Sequence, residues 1–87
     1  MRTDLCVRDI NNVMGKLEQK TWFRMGEKGM HTLVSRHDVL GIVTQEYQKL
    51  CSAVTGGGSK EVSRRLLDTA VACVVGLASI DSGKADW

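Results

Sequence analysis

The stretch LLDTAVACVVGLASI, residues 66 to 80, constrains this chain more than any other. At about 100° per residue, Leu66, Leu67, Val71, Cys73, Val74, Leu77 and Ile80, with the alanines between them, cover nearly the whole circumference of a helix. A helix that is apolar all round has to be buried all round. Eighty-seven residues make one small domain, and two further helices cannot wrap a third completely. The expectation is therefore partner chains, most simply a homodimer with two-fold symmetry in which helical hairpins pair into a four-helix core. Ala72, Gly76 and Ala78 would let such helices approach closely.

The rest of the chain reads as helix too. There is no proline and there are only four aromatic residues, a poor supply for a many-stranded sheet. The fold class expected is all-α: an antiparallel helical hairpin plus an N-terminal helix, in a single domain over 1–87. A first helix is predicted over about 3–24, started by Thr3 or Asp4, with Ile10, Val13, Met14 and Leu17 at helical spacing. It should fade near the glycines of MGEKGM, with Trp22 and Phe23 as hydrophobic anchors. A second helix is predicted over 36–54. Ser35 and Asp38 have the spacing of a capping box, and Val39, Leu40, Val43, Tyr47, Leu50, Cys51 and Val54 form one broad apolar stripe. TGGGS, residues 55 to 59, should end it and turn the chain back. The third helix is predicted over 60–80, capped by Ser59, and 81–87 is expected to be a loose tail carrying Trp87.

Several function classes are excluded or disfavoured. Net charge is +2, which gives no electrostatic case for nucleic acid or an anionic membrane. KEVSRR, residues 60 to 65, opens a helix that soon becomes wholly apolar, so a DNA-reading role is not expected. The longest charge-free stretch, Thr69 to Ile80, is short of the ~20 residues that cross a bilayer. MRTDLCVRDINN lacks the apolar run of a signal peptide, so a cytoplasmic protein is expected. Cys6, Cys51 and Cys73 are an odd set with no CxxC pair, read as free thiols, with Cys51 and Cys73 buried. GGGSK, residues 56 to 60, lacks the spacing of a phosphate-binding loop and is a hairpin turn. His31 and His37 lie too far apart at a helix start to suggest a metal pair.

Glu46 and Asp68 are the residues that could carry chemistry. Glu46 falls between Val39 and Ile42 on the helical wheel, inside the apolar sector, and Asp68 falls close to the line of Val71 and Val75. Each lies about ten residues from the turn, so the two can sit at similar heights across the hairpin. Facing carboxylates can hold Mg²⁺ and orient a phosphate chain. Here Lys49 follows Glu46 by one turn and Arg65 precedes Asp68 by one turn. Glu46 can pair with Lys49 or Arg65, and Asp68 with Arg65 or Lys49, giving an internal ion-pair network; alternatively Lys49 and Arg65 hold a phosphate directly.

GIVTQEYQKL, residues 41 to 50, and RRLLDTAVACVVGLASI, residues 64 to 80, resemble the EExxE and ExxD helices of the MazG-like all-α nucleoside triphosphate pyrophosphohydrolases. MHTLVSRHDVLG is similar to the segment that leads into them, so the likeness spans about residues 29 to 80. It implies a hairpin that dimerises or tetramerises into a bundle. Carried over by position, the first motif falls on Gln45, Glu46 and Lys49 and the second on Arg65 and Asp68. Only Glu46 and Asp68 stay acidic, and Lys49 and Arg65 reverse the charge. The resemblance then implies a degenerate site and a non-catalytic binding or interaction protein, with a nucleotide or other phosphate as possible ligand and no cofactor. A pyrophosphohydrolase with an altered Mg²⁺ site is the alternative, and a purely structural or protein-interaction module is a third reading.

Overall fold

In a computed structural model, which describes residues 4–28 and 35–85, the chain forms three helices: α1 (Val7–Lys28), α2 (Arg36–Gly56) and α3 (Ser59–Asp81). No strand is present among the described residues. The all-α expectation holds, as do the hairpin and the additional N-terminal helix. None of the three helices is long and apolar enough to cross a membrane. His31 and Trp87 lie outside the described residues.

Local chemistry sets the helix ends. Ser35 has extended backbone, and its Oγ accepts the Asp38 N–H at 3.2 Å, as the spacing predicted. The glycine run closes α2: the Gly57 N–H donates to the Ala53 carbonyl at 2.7 Å. A β-carbon on Gly57 would lie 2.8 Å from that same oxygen, so only glycine fits this turn without a shift. Three boundaries differ from expectation. First, α1 starts at Val7 and not near Thr3, because the Asp9 carboxylate accepts the Cys6 N–H at 2.9 Å and caps the helix there. It also runs through Gly26 to Lys28, since one solvent-exposed glycine costs only about 1 kcal/mol in a helix. Second, Ser59 is the first residue of α3; Gly58 takes the cap position without a side-chain bond. Third, the start of the tail is not loose. Gly83, at φ 72°, turns the chain so that Lys84 and Ala85 donate to the Ser79 carbonyl at 3.2 and 3.0 Å.

The arrangement has α3 in the centre. It packs against α2 on one side and α1 on the other, while α1 and α2 do not pack on each other among the described residues. At Gly76 the contact with α2 is close: an added β-carbon would lie 3.2 Å from Val39 Cγ1. Gly76 is buried, as are Ala53, Val71, Ala72 and Ser79. This small-residue core leaves much apolar surface outside. Leu40, Tyr47, Val54, Leu66, Leu77 and Ile80 are exposed, as are Trp22 and Phe23. The last two are therefore not anchors within one chain; Phe23 instead lies under the Lys20 ammonium, 5.6 Å from its ring centroid. Cys51 and Cys73 are likewise exposed and not buried: the apolar pattern they belong to is wider than the surface that one chain covers. A folded chain of 9.6 kDa exposes roughly 5,100 Å², and this one exposes 6753 Å², about a third more.

Candidate functional site

Glu46 and Asp68 are both buried, at 6% and 7% exposure, in a molecule whose larger apolar side chains mostly are not. Their burial follows from the wheel positions that set them in the apolar sectors of α2 and α3. A carboxylate taken out of water needs compensating charge or hydrogen bonds. The two acids find it in different ways.

Among the described residues, Glu46 has one charged partner. Its Oε1 lies 3.6 Å from Lys49 Nζ on the next turn, and Oε2 is buried without a hydrogen bond among the described residues. Asp68 sits among three cations from two helices. Arg65 Nη1 is 3.8 Å from Oδ2, while Lys20 Nζ and Arg24 Nη2, both from α1, are 3.9 and 4.0 Å from Oδ1. These distances exceed hydrogen-bond range, so among the described residues Oδ1 is held by Coulomb attraction without a hydrogen bond.

Arg65 is engaged twice. Its Nε donates to Glu61 at 3.1 Å, on the turn before, and its other end faces Asp68. Glu61 also accepts from Arg64 at 2.6 Å, and Arg24 has Glu27 at 3.9 Å on its own helix. Beside this network, an open cleft of about 320 Å³ runs along the α2–α3 turn, lined by Lys49, Ser52, Gly57, Glu61 and Arg65 among others. Outside the cluster, the Tyr47 phenol is pushed above its ordinary value by a hydrogen bond with Cys51 one turn on, and then by the charge of the Cys51 thiolate.

The predicted pairings Glu46–Lys49 and Asp68–Arg65 are both present. Sequence reasoning missed Lys20, Arg24 and Glu61. Glu61 was legible, since it stands three and four residues before Arg64 and Arg65 on one helix. Lys20 and Arg24 were not, because their i, i+4 spacing identifies a shared face of α1 without saying which helix that face meets.

The donor set bears directly on metal binding. Among the described residues, no three Asp, Glu, His or Cys side chains come together as a metal site would require. Any cation approaching Asp68 meets Lys20, Arg24 and Arg65 already in place. Compared with known proteins, the chain matches no family model, no curated protein and no solved structure.

Proposed function

We propose that this chain is a non-catalytic helical module that works by association with copies of itself, on a scaffold like that of the MazG-like pyrophosphohydrolases. The observation that carries the reading is the crowding of Asp68 by Lys20, Arg24 and Arg65. Hydrolysis of a nucleoside triphosphate at such a site needs acids free to share divalent ions. Here one acid faces three cations and the other faces Lys49, so the charge a metal would neutralise is already neutralised. Self-association is supported by the apolar surface left on α2 and α3, which a four-helix core of paired hairpins would cover.

A phosphate-bearing ligand such as a nucleotide is the second reading, and the cleft between Lys49 and Arg65 supports it. Ion pairing weighs against it, since Glu61 and Asp68 occupy both ends of the Arg65 guanidinium and leave Lys49 as the freer cation.

Three measurements separate the readings. Sedimentation velocity over a concentration series should give a dimer or tetramer, and a monomer throughout would refute self-association. Incubation with Mg²⁺ and a panel of dNTPs should release no pyrophosphate. Steady release, abolished by Glu46→Ala, would make the protein an enzyme and overturn the non-catalytic reading. Thermal stabilisation by a nucleotide without turnover would establish the ligand, and no shift with any nucleotide would leave the interaction role alone.

A further inference from the structure

The carboxylate of Asp68 is 7% exposed, and its Oδ1 accepts no hydrogen bond among the described residues. Lys20 Nζ and Arg24 Nη2 stand 3.9 and 4.0 Å from that oxygen. A direct ion pair closes to about 2.8 Å. Separations near 3.9 Å are instead those of two groups that share one oxygen, since bonds of about 2.7 and 2.8 Å meeting at roughly a right angle span ~3.9 Å. Such an oxygen has to accept from Lys20 and Arg24 and donate to Oδ1, because a carboxylate only accepts. It therefore carries a proton.

A way in lies beside the cluster. A depression of about 420 Å³ between α1 and α3 is lined by Lys16, Gln19, Lys20, Phe23 and Leu67. Lys20 belongs to both places: it lines the depression, and its ammonium faces Asp68, the neighbour of Leu67 in sequence. Lys16 is exposed one turn earlier on the same flank of α1. The charge there favours an anion. Glu27 and Glu61 offset Arg24 and Arg65, whereas Asp68 is the acid that faces Lys20 among the described residues, and Lys16 adds a further positive charge.

We propose that this depression binds free hydrogenphosphate, with the protonated oxygen set between Lys20, Arg24 and Asp68 Oδ1 and the other oxygens toward Lys16 and Gln19. The site is complete within one chain and does not depend on self-association. It is also separate from the cleft between Lys49 and Arg65. The buried carboxylate makes the site selective for the proton. Hydrogenphosphate keeps a P–OH at neutral pH. Sulfate has none, and a phosphomonoester loses its last proton near pH 6. Either would set an anionic oxygen against Oδ1, acceptor against acceptor.

Amide shifts of the ¹⁵N-labelled full chain test the assignment, in titrations at about pH 7.5 and constant ionic strength with chloride as the balancing anion. Inorganic phosphate should shift amides of residues 16–24 and 67–68 saturably. Sulfate and phenyl phosphate, both without a proton there, should bind at least tenfold more weakly. Lys16→Met, at an exposed position, should keep the parent's fold and weaken phosphate at least threefold. Asp68→Asn, whose amide can donate as well as accept, should bring sulfate level with phosphate; if that variant does not fold, the parent's own preference for phosphate over sulfate decides. Lys49→Met should bind phosphate as the parent does. Equal binding of phosphate and sulfate by the parent, tighter binding of phenyl phosphate, loss of binding in Lys49→Met, or no saturable shift with phosphate would each overturn the site and leave the self-association reading untouched.

Discussion

Lys20 Nζ lies 3.9 Å from Asp68 Oδ1, and this contact, with Arg24 beside it, ties α1 to α3 through charge. The cations are partly solvated, with side chains 26–31% exposed, while the carboxylate is nearly dry. Breaking a buried pair costs several kcal/mol when both ends are trapped, and much less when one end can turn to water. Asp68→Asn should therefore destabilise the fold by about 1–3 kcal/mol, read from urea unfolding. The loss should shrink as salt rises, because salt weakens the same attraction in the parent.

Glu46 should behave differently. Lys49, its partner among the described residues, is 43% exposed at the side chain and can be solvated without it, while Glu46 Oε2 is buried without a hydrogen bond among those residues. Replacing the charge by a neutral amide removes a desolvation cost and strands no cation. Glu46→Gln should change stability by less than about 1 kcal/mol or raise it. A loss as large as that of Asp68→Asn would show that the Lys49 contact is worth more than its geometry indicates.

Two helix-interior glycines, Gly76 and Gly41, should respond differently to alanine. Around Gly41 there is open space, so Gly41→Ala should add about 0.5–1 kcal/mol through helix propensity alone. At Gly76 the same gain is offset by a β-carbon 3.2 Å from Val39 Cγ1. Gly76→Ala should be near neutral, and should become stabilising when measured against Val39→Ala as its parent. Thermal melts of the four proteins in the Val39–Gly76 cycle give the coupling directly.

Acid should loosen the start of α1. The Cys6 N–H bond to Asp9 holds that carboxyl below its ordinary value of 3.8 in the folded helix. A lowered folded-state pKa gives stability that is present above the unfolded value and is lost as pH falls through the folded one. Amide protection at Cys6, relative to the unfolded chain at the same pH, should fall below about pH 4, and Asp9→Asn should flatten that pH dependence.

The sequence made the hairpin and its charge pairs readable because they are local. Ser35 and Asp38 announce a helix start, the glycines at 56 to 58 announce a turn, and Glu46 inside an apolar sector announces a buried acid. The pairing of Asp68 with Arg65 follows from three-residue spacing on one helix. What stayed hidden depends on long-range placement. Apolar periodicity placed Cys51 and Cys73 away from water, yet both are exposed in the single chain, because the pattern does not say whether the covering surface belongs to the same molecule. Lys20 and Arg24 reach Asp68 across more than forty residues of sequence, and no local signal in α1 reports the carboxylate waiting on α3.

Because α3 alone touches both other helices, the molecule can come apart along two independent seams. Separating α1 parts Lys20 and Arg24 from Asp68, while separating α2 pulls Val39 away from the Gly76 notch. Mutation can therefore address the seams one at a time: Asp68→Asn should lower amide protection in α1 and leave the hairpin beneath it closed.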